Sequence, residues 1–228
     1  TFYTNDAGML ITPEKLEFGK GYSLKEVSAP YGYVLSHEAV KFDVAEENST
    51  EESGVTVVAV KLGNYAQKGI IKISKTGEVF ASVTATDGVY QPVYAVQGLA
   101  GATYEIKATE DIYTPDGTLR CSAGEVVDTV TTGADGTAES KPLYLGKYEI
   151  TEMKAPDGMV VNKDAHTAEL VYAGQEIEIT ETAASFCNDR QKARISLSKV
   201  LEQNKQFGIG MNNELSAVTF GFYAAEEL

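Results

Sequence analysis

The chain has 228 residues, a formal net charge of −14, 13 Tyr, 8 Phe and no Trp. That length supports one to three domains, with enough apolar residues to fill ordinary cores. The acidity sets aside nucleic acid and anionic membrane surfaces as partners, because both require clustered Lys and Arg.

In chain order, the first element is the stretch 18–34. Side chains two apart share a strand face, so Tyr22, Leu24 and Glu26 lie together. Ala29-Pro30-Tyr31-Gly32 ends that strand, since Pro cannot donate to a ladder. Residues 44–52, with Glu46, Glu47, Glu51 and Glu52, read as a solvated loop rather than a helical turn. Val58, Val60, Leu62 and Asn64 share the next strand face, and the joint 64–69 lacks a Gly/Ser or Pro linker, which favours a stiff string of domains. Ile71, Ile73 and Lys75 share a face, and 76–98 is a long Tyr- and Val-bearing insertion. A run at 102–112 follows, and the turns Asp87-Gly88, Asp116-Gly117, Asp135-Gly136 and Asp157-Gly158 suit positive φ. Tyr148, Ile150 and Glu152 line one face before a second Ala155-Pro156-Asp157-Gly158, and Phe186 precedes Asn188 by two. After the joint 188–193, Ile195, Leu197 and Lys199 share a face. Short alternating runs between turns predict an all-β sandwich.

These elements repeat. Lys75 to Lys199 and Asn64 to Asn188 are each offset by 124 residues, and Glu26 to Glu152 by 126. A common offset in a common order marks a tandem array. Its register makes 1–65 the C-terminal half of one repeat, 66–190 a complete repeat and 191–228 the N-terminal half of a third, so the chain reads as cut in mid-repeat at both ends. Lys, Glu and Asn therefore recur on apolar stripes. Burying one alone costs on the order of several kcal/mol. Either they meet one another, or each sits at a strand end and reaches water.

Enzyme signatures are missing. No nucleophile elbow, P-loop or dinucleotide fingerprint occurs, and His37 and His166 lack metal-site spacing and are expected in surface loops. The segments 4–8 and 133–136 read as hairpin turns rather than Ca²⁺ sites. No cofactor or metal is expected. Cys121 and Cys187 read as unpaired, with a single bridge as the alternative.

The pattern Tyr-x-x-x-Glu-x-x-Ala-Pro-x-Gly, preceded by Gly-Lys, occurs at 19–32 and, slipped by one residue, at 146–158. With the first strand ending in Lys75 and the Gly-Ala-Thr-Tyr-Glu-Ile element at 101–106, it resembles the Cna B-type (SpaA-type, prealbumin-like) domains of Gram-positive surface proteins and pilins. The resemblance implies tandem transthyretin/Ig-like β-sandwiches, and an extracellular, cell-wall-attached location. It also implies an isopeptide bond between Lys75 and Asn188, promoted by Glu152. By the same resemblance Glu26 promotes a bond at Asn64, and Lys199 belongs to a third such bond, their partners coming from another segment. An apolar site favours neutral Lys75 and neutral Glu152, so that the amine attacks the polarised carboxamide and ammonia leaves. Gly77 and Leu201 stand where the family often has an acidic residue, and Met159 where it has Tyr.

The expected function is a stalk or pilin-like repeat stiffened by autocatalytic Lys–Asn bonds. The alternative is an adhesin whose loops, 76–98 among them, bind a host matrix protein or glycan. Expected partners are neighbouring repeats of the same protein, and a host surface ligand under the alternative. The two halves either complete each other between copies or are completed by further residues of a longer chain. Nucleic acid and membrane contact within the segment are not expected.

Overall fold

The computed structural model describes residues 1–45, 50–52, 55–210 and 214–221. These form two compact units, Thr1–Gln191 and Lys192–Leu228. Strands dominate, and no α-helix occurs among the described residues.

The first unit opens with β1 (Gly19–Leu24) paired antiparallel to β2 (Val40–Val44), with the Tyr22 and Phe42 rings stacked at 5.7 Å. A hairpin of β3 (Thr50–Glu52) and β4 (Val55–Val57) follows. The loop expected over 44–52 is thus partly strand, since Thr50–Glu52 finds a pairing edge in Val55–Val57; Glu46 and Glu47 lie outside the described residues. Tyr22 and Glu26 are half-buried, but Leu24 between them is exposed, because no described strand covers that face.

The rest of the unit is a two-sheet sandwich. Its strands are β5 (Lys68–Thr86), β6 (Val89–Gly98), β7 (Thr103–Ala108), β8 (Ile112–Tyr113), β9 (Leu119–Cys121), β10 (Val126–Thr131), β11 (Thr137–Glu139), β12 (Leu143–Tyr144), β13 (Gly146–Lys154), β14 (His166–Leu170) and β15 (Ile179–Asn188). One sheet runs β10-β7-β13-β14, all antiparallel. The other is centred on β5, which pairs with β11, β12 and β6 and, in parallel, with β15. Period-two alternation sends Ile71 and Ile73 inward from β5, Tyr104 and Ile106 from β7, Tyr148 and Ile150 from β13, and Phe186 from β15. These form one continuous core, which Cys121 joins from its edge. Cys121 and Cys187 are both free thiols.

The insertion is a hairpin rather than a loop. The long strand β5 runs out of the sandwich and turns at Asp87-Gly88, where both residues have positive φ. Its base is pinned by Arg190, whose guanidinium lies 3.3 Å from the Tyr94 ring centroid and pairs with Glu78 at 3.1 Å. His166 begins β14 instead of sitting in a loop, and its ring packs 4.3 Å from that of Phe186. The aromatic edge gives the imidazole an apolar contact that a loop would not.

In the second unit, 192–203 forms no strand, and Ile195, Leu197 and Lys199 are exposed. The expected core-facing stripe is absent because a strand without a pairing neighbour and an opposing sheet is not stable in water. An isolated bridge joins Asn204 to Ile209, and Glu214–Ala217 makes a 3-10 turn.

Candidate functional site: a buried lysine, glutamate and asparagine

Lys75, Glu152 and Asn188 come from β5, β13 and β15 and meet inside the sandwich. The parallel register of β5 and β15 places Lys75 opposite Phe186 and Asn188 opposite Gly77. Glu152 lies across from Tyr104 on the facing sheet. All three are enclosed, at 0 %, 3 % and 4 % exposure.

The Glu152 carboxylate joins the other two. Its Oε1 lies 2.8 Å from Lys75 Nζ, and its Oε2 accepts from Asn188 Nδ2 at 2.7 Å and from the backbone N–H of Asn162 at 2.7 Å. The Tyr104 hydroxyl donates to Oε1 at 3.3 Å. Asn188 Nδ2 also donates to the Val160 carbonyl at 2.6 Å, which fixes the carboxamide's orientation. Its Oδ1 is buried and accepts no hydrogen bond, and Lys75 Nζ has none beyond its ion pair. The Tyr104 and Phe186 rings wall the ammonium at 5.8 and 5.9 Å.

Electrostatics correct one expectation. Burial alone pushes the Glu152 carboxyl up, but hydrogen bonds from Lys75, Asn188 and the Asn162 N–H, with the charge of Lys75, outweigh it and hold the group below the ordinary glutamate value. The resting carboxylate is therefore ionised, not neutral. Burial first, then the charge of Glu152, raises the Tyr104 phenol well above its usual value, so it stays a donor.

A second site repeats this geometry without the lysine. Asn64 Nδ2 donates to Glu26 Oε2 at 2.6 Å and to the Val34 carbonyl at 3.0 Å, and the Ser36 N–H donates to Glu26 Oε2 at 2.8 Å. Lys199 lies exposed in the other unit. Sequence reasoning missed Tyr104, Val160 and Asn162. Backbone donors and acceptors carry no residue signature, and Tyr104 is matched by Phe220 in the repeat. Gly77 has a packing reason, since a Cβ there would come within 2.6 Å of Leu99 Cδ1.

Fold and site together define a prealbumin-like β-sandwich with a buried Lys–Glu–Asn cluster. A profile of the SpaA prealbumin-like fold domain matches residues 1–59 and 94–183, and the chain belongs to that family. A trypsin-resistant surface T6 protein of Streptococcus pyogenes serotype M6 is 32% identical over 74 residues, covering 32% of this chain and 14% of that protein. Among solved structures, the Bacillus anthracis TIE protein is 26% identical at a TM-score of 0.46, covering 83% of this chain and 28% of that one. The major pilin SpaD of Corynebacterium diphtheriae is 21% identical at a TM-score of 0.35, covering 54% and 30%. The chain thus spans only a minor part of each, and the profile match carries the assignment.

Proposed function

We propose that the chain is a stalk-forming, pilin-like segment of a Gram-positive cell-surface protein, whose complete repeat, 66–190, closes a Lys75–Asn188 isopeptide bond on itself. The supporting observation is that one buried carboxylate holds the amine through Oε1 and the carboxamide nitrogen through Oε2. Surface and pilin proteins among the relatives agree with this class.

The geometry suggests the proton path. The Lys75 ammonium passes a proton to Glu152 Oε1, leaving a neutral amine. The amine attacks Asn188 Cγ, and charge develops on the unpartnered Oδ1. Glu152 gives its proton to Nδ2, the Cγ–Nδ2 bond breaks and ammonia departs. The regenerated carboxylate then takes the remaining extra proton from the former amine nitrogen, leaving a neutral secondary amide and a protonated Glu152. The reaction runs once per domain. By analogy with a disulfide closing a loop of about 100 residues, the bond stabilises by about 4–5 kcal/mol through the unfolded state.

Intact-mass measurement is the test. The expected result is a mass lower by one ammonia than the sequence requires, restored in Asn188→Ala; an unshifted mass for the native chain overturns the proposal. The Glu26–Asn64 site belongs to the preceding repeat, whose own first strand supplies its lysine. A denaturing gel showing covalent multimers would instead assign that lysine to Lys199 of a second copy.

A further inference from the structure

The joint between residues 1–65 and the central sandwich contains a polar device that the crosslink does not use. Gln67 is 1 % exposed, in the joint just before β5. Its backbone N–H donates to the Gly32 carbonyl at 2.8 Å, reaching back to the preceding repeat. Its side chain reaches forward. Nε2 donates to the Gly174 carbonyl at 2.8 Å and to the Ile177 carbonyl, while Oε1 accepts from the Ala173 N–H at 2.8 Å. The amide is saturated by one turn, 173–177, of the following sandwich. That turn also grips the preceding repeat directly: Gln175 Oε1 accepts from the Ala29 N–H at 2.8 Å, and the Gln175 carbonyl from the Leu35 N–H at 2.9 Å. Tyr31 packs on Tyr172 at 4.6 Å, and His37 meets Glu176 at 3.2 Å.

The preceding-repeat side of this joint is rebuilt at the far end of the central sandwich. Tyr33 bridges Ala66 as Met159 bridges Arg190. The Val34 N–H donates to Tyr65 O at 3.0 Å, as Val160 does to Asp189 O at 2.9 Å; Gln67 donates to Gly32 O at 2.8 Å, as Gln191 does to Gly158 O at 2.8 Å. What differs is coverage. Gly32 is buried and Leu35 is 8 % exposed, whereas their counterparts are exposed, with Val161 at 37 %, and the Gln191 side chain is exposed too. Lys163 stands where His37 stands, a cation suited to a Glu176-like carboxylate.

We infer that the surface formed by residues 157–163 and Gln191 is a docking site for the next repeat of the same array. The incoming part is that repeat's copy of the 173–177 turn, which Gln191 latches as Gln67 latches the turn seen here. Each glutamine is bonded by its backbone to one repeat and by its side chain to the next, so it fixes the angle between them. This rests on the reading of the chain as a string of repeats, but not on the crosslink; intact mass, measured on the same samples, separates the two.

Amide hydrogen exchange reads the latch. In the present chain, Gln67→Ala should speed exchange at Ala29, Leu35 and Ala173 by about tenfold or more, with Ile106 and Ile150 unchanged. If Gln67→Ala loosens the core as well, Gln175→Ala removes only the contact to Ala29 and should speed that amide alone. Native protection at Ala29 in both variants overturns the latch. For the second surface, residues 67–190 are placed a second time directly after Arg190, so that the second copy's Gln67 occupies the position of Gln191. The Val161 amide should become protected relative to the present chain, and lose that protection when this glutamine is changed to Ala. Equal exchange at Val161 with and without the second copy overturns the docking proposal.

Discussion

At the scale of the residue, Glu152 acts through two oxygens with different partners. Removing its charge while keeping its shape, in Glu152→Gln, leaves Lys75 buried beside a neutral amide that cannot take its proton. The expected outcome is a folded but uncrosslinked protein of unshifted mass, destabilised by about 3–5 kcal/mol because a buried charge has lost its partner. The depressed carboxyl also predicts acid sensitivity. Uncrosslinked Asn188→Ala loses the Asn188 donor but keeps Lys75 and the Asn162 N–H, so the depression is expected to be smaller there than with Asn188 present. The unfolded chain then binds a proton near the ordinary glutamate value, about pH 4.3, while the folded chain resists it. The stability from Glu152 is thus present above that pH and lost as the pH falls below it towards the folded value. Urea midpoints between pH 6 and pH 3 should fall further for Asn188→Ala than for the double variant Asn188→Ala/Glu152→Gln. Parallel pH profiles would show that Glu152 contributes no such linkage.

At the scale of the element, the lysine's height on β5 is set by a turn. The Lys75 N–H donates to the Gly136 carbonyl at 2.7 Å, and the Leu99 N–H donates to the Lys75 carbonyl at 3.0 Å. Gly136 has φ +78°, and a Cβ there would come within 2.5 Å of the Lys75 carbonyl oxygen and 2.6 Å of Gly98 Cα. Gly136→Ala should therefore cost about 1–3 kcal/mol and slow crosslinking, read as a mixture of shifted and unshifted masses soon after synthesis. The Asp135-Gly136 turn was legible in the sequence, as were the stripes ending in Lys75 and Glu152, because alternation and turn chemistry are local. Its contact with Lys75 was not, since backbone-to-backbone approaches leave no pattern. The charge state of Glu152 was misjudged for a related reason: burial is readable from a stripe, but the Asn162 N–H that helps offset it is not. The expected strand at 193–199 failed because periodicity describes a face and says nothing about whether a partner sheet is there to cover it.

At the scale of the molecule, the parallel pairing of β5 with β15 decides how the sandwich bears load. A pull along the chain enters at Lys68 and leaves beyond Asn188, at opposite ends of two neighbouring strands. Without a covalent link the load shears the ladder between them, and the strands separate once those hydrogen bonds yield. With the Lys75–Asn188 bond, tension runs from the start of β5 through the lysine side chain and out at Asn188. Residues 76–187 then carry none of it, and resistance becomes that of covalent bonds rather than of a folding barrier. Single-molecule pulling should show no extension from the central domain of the native chain. Asn188→Ala should release the enclosed segment in one step of roughly 350–400 Å, from about 3.3–3.6 Å per residue. The enclosure also predicts that protease cuts within 76–187 leave the ends of the domain joined on a denaturing gel, whereas in Asn188→Ala they part. Equal release under force in native and variant chains would mean that the ladder, not the crosslink, bears the load.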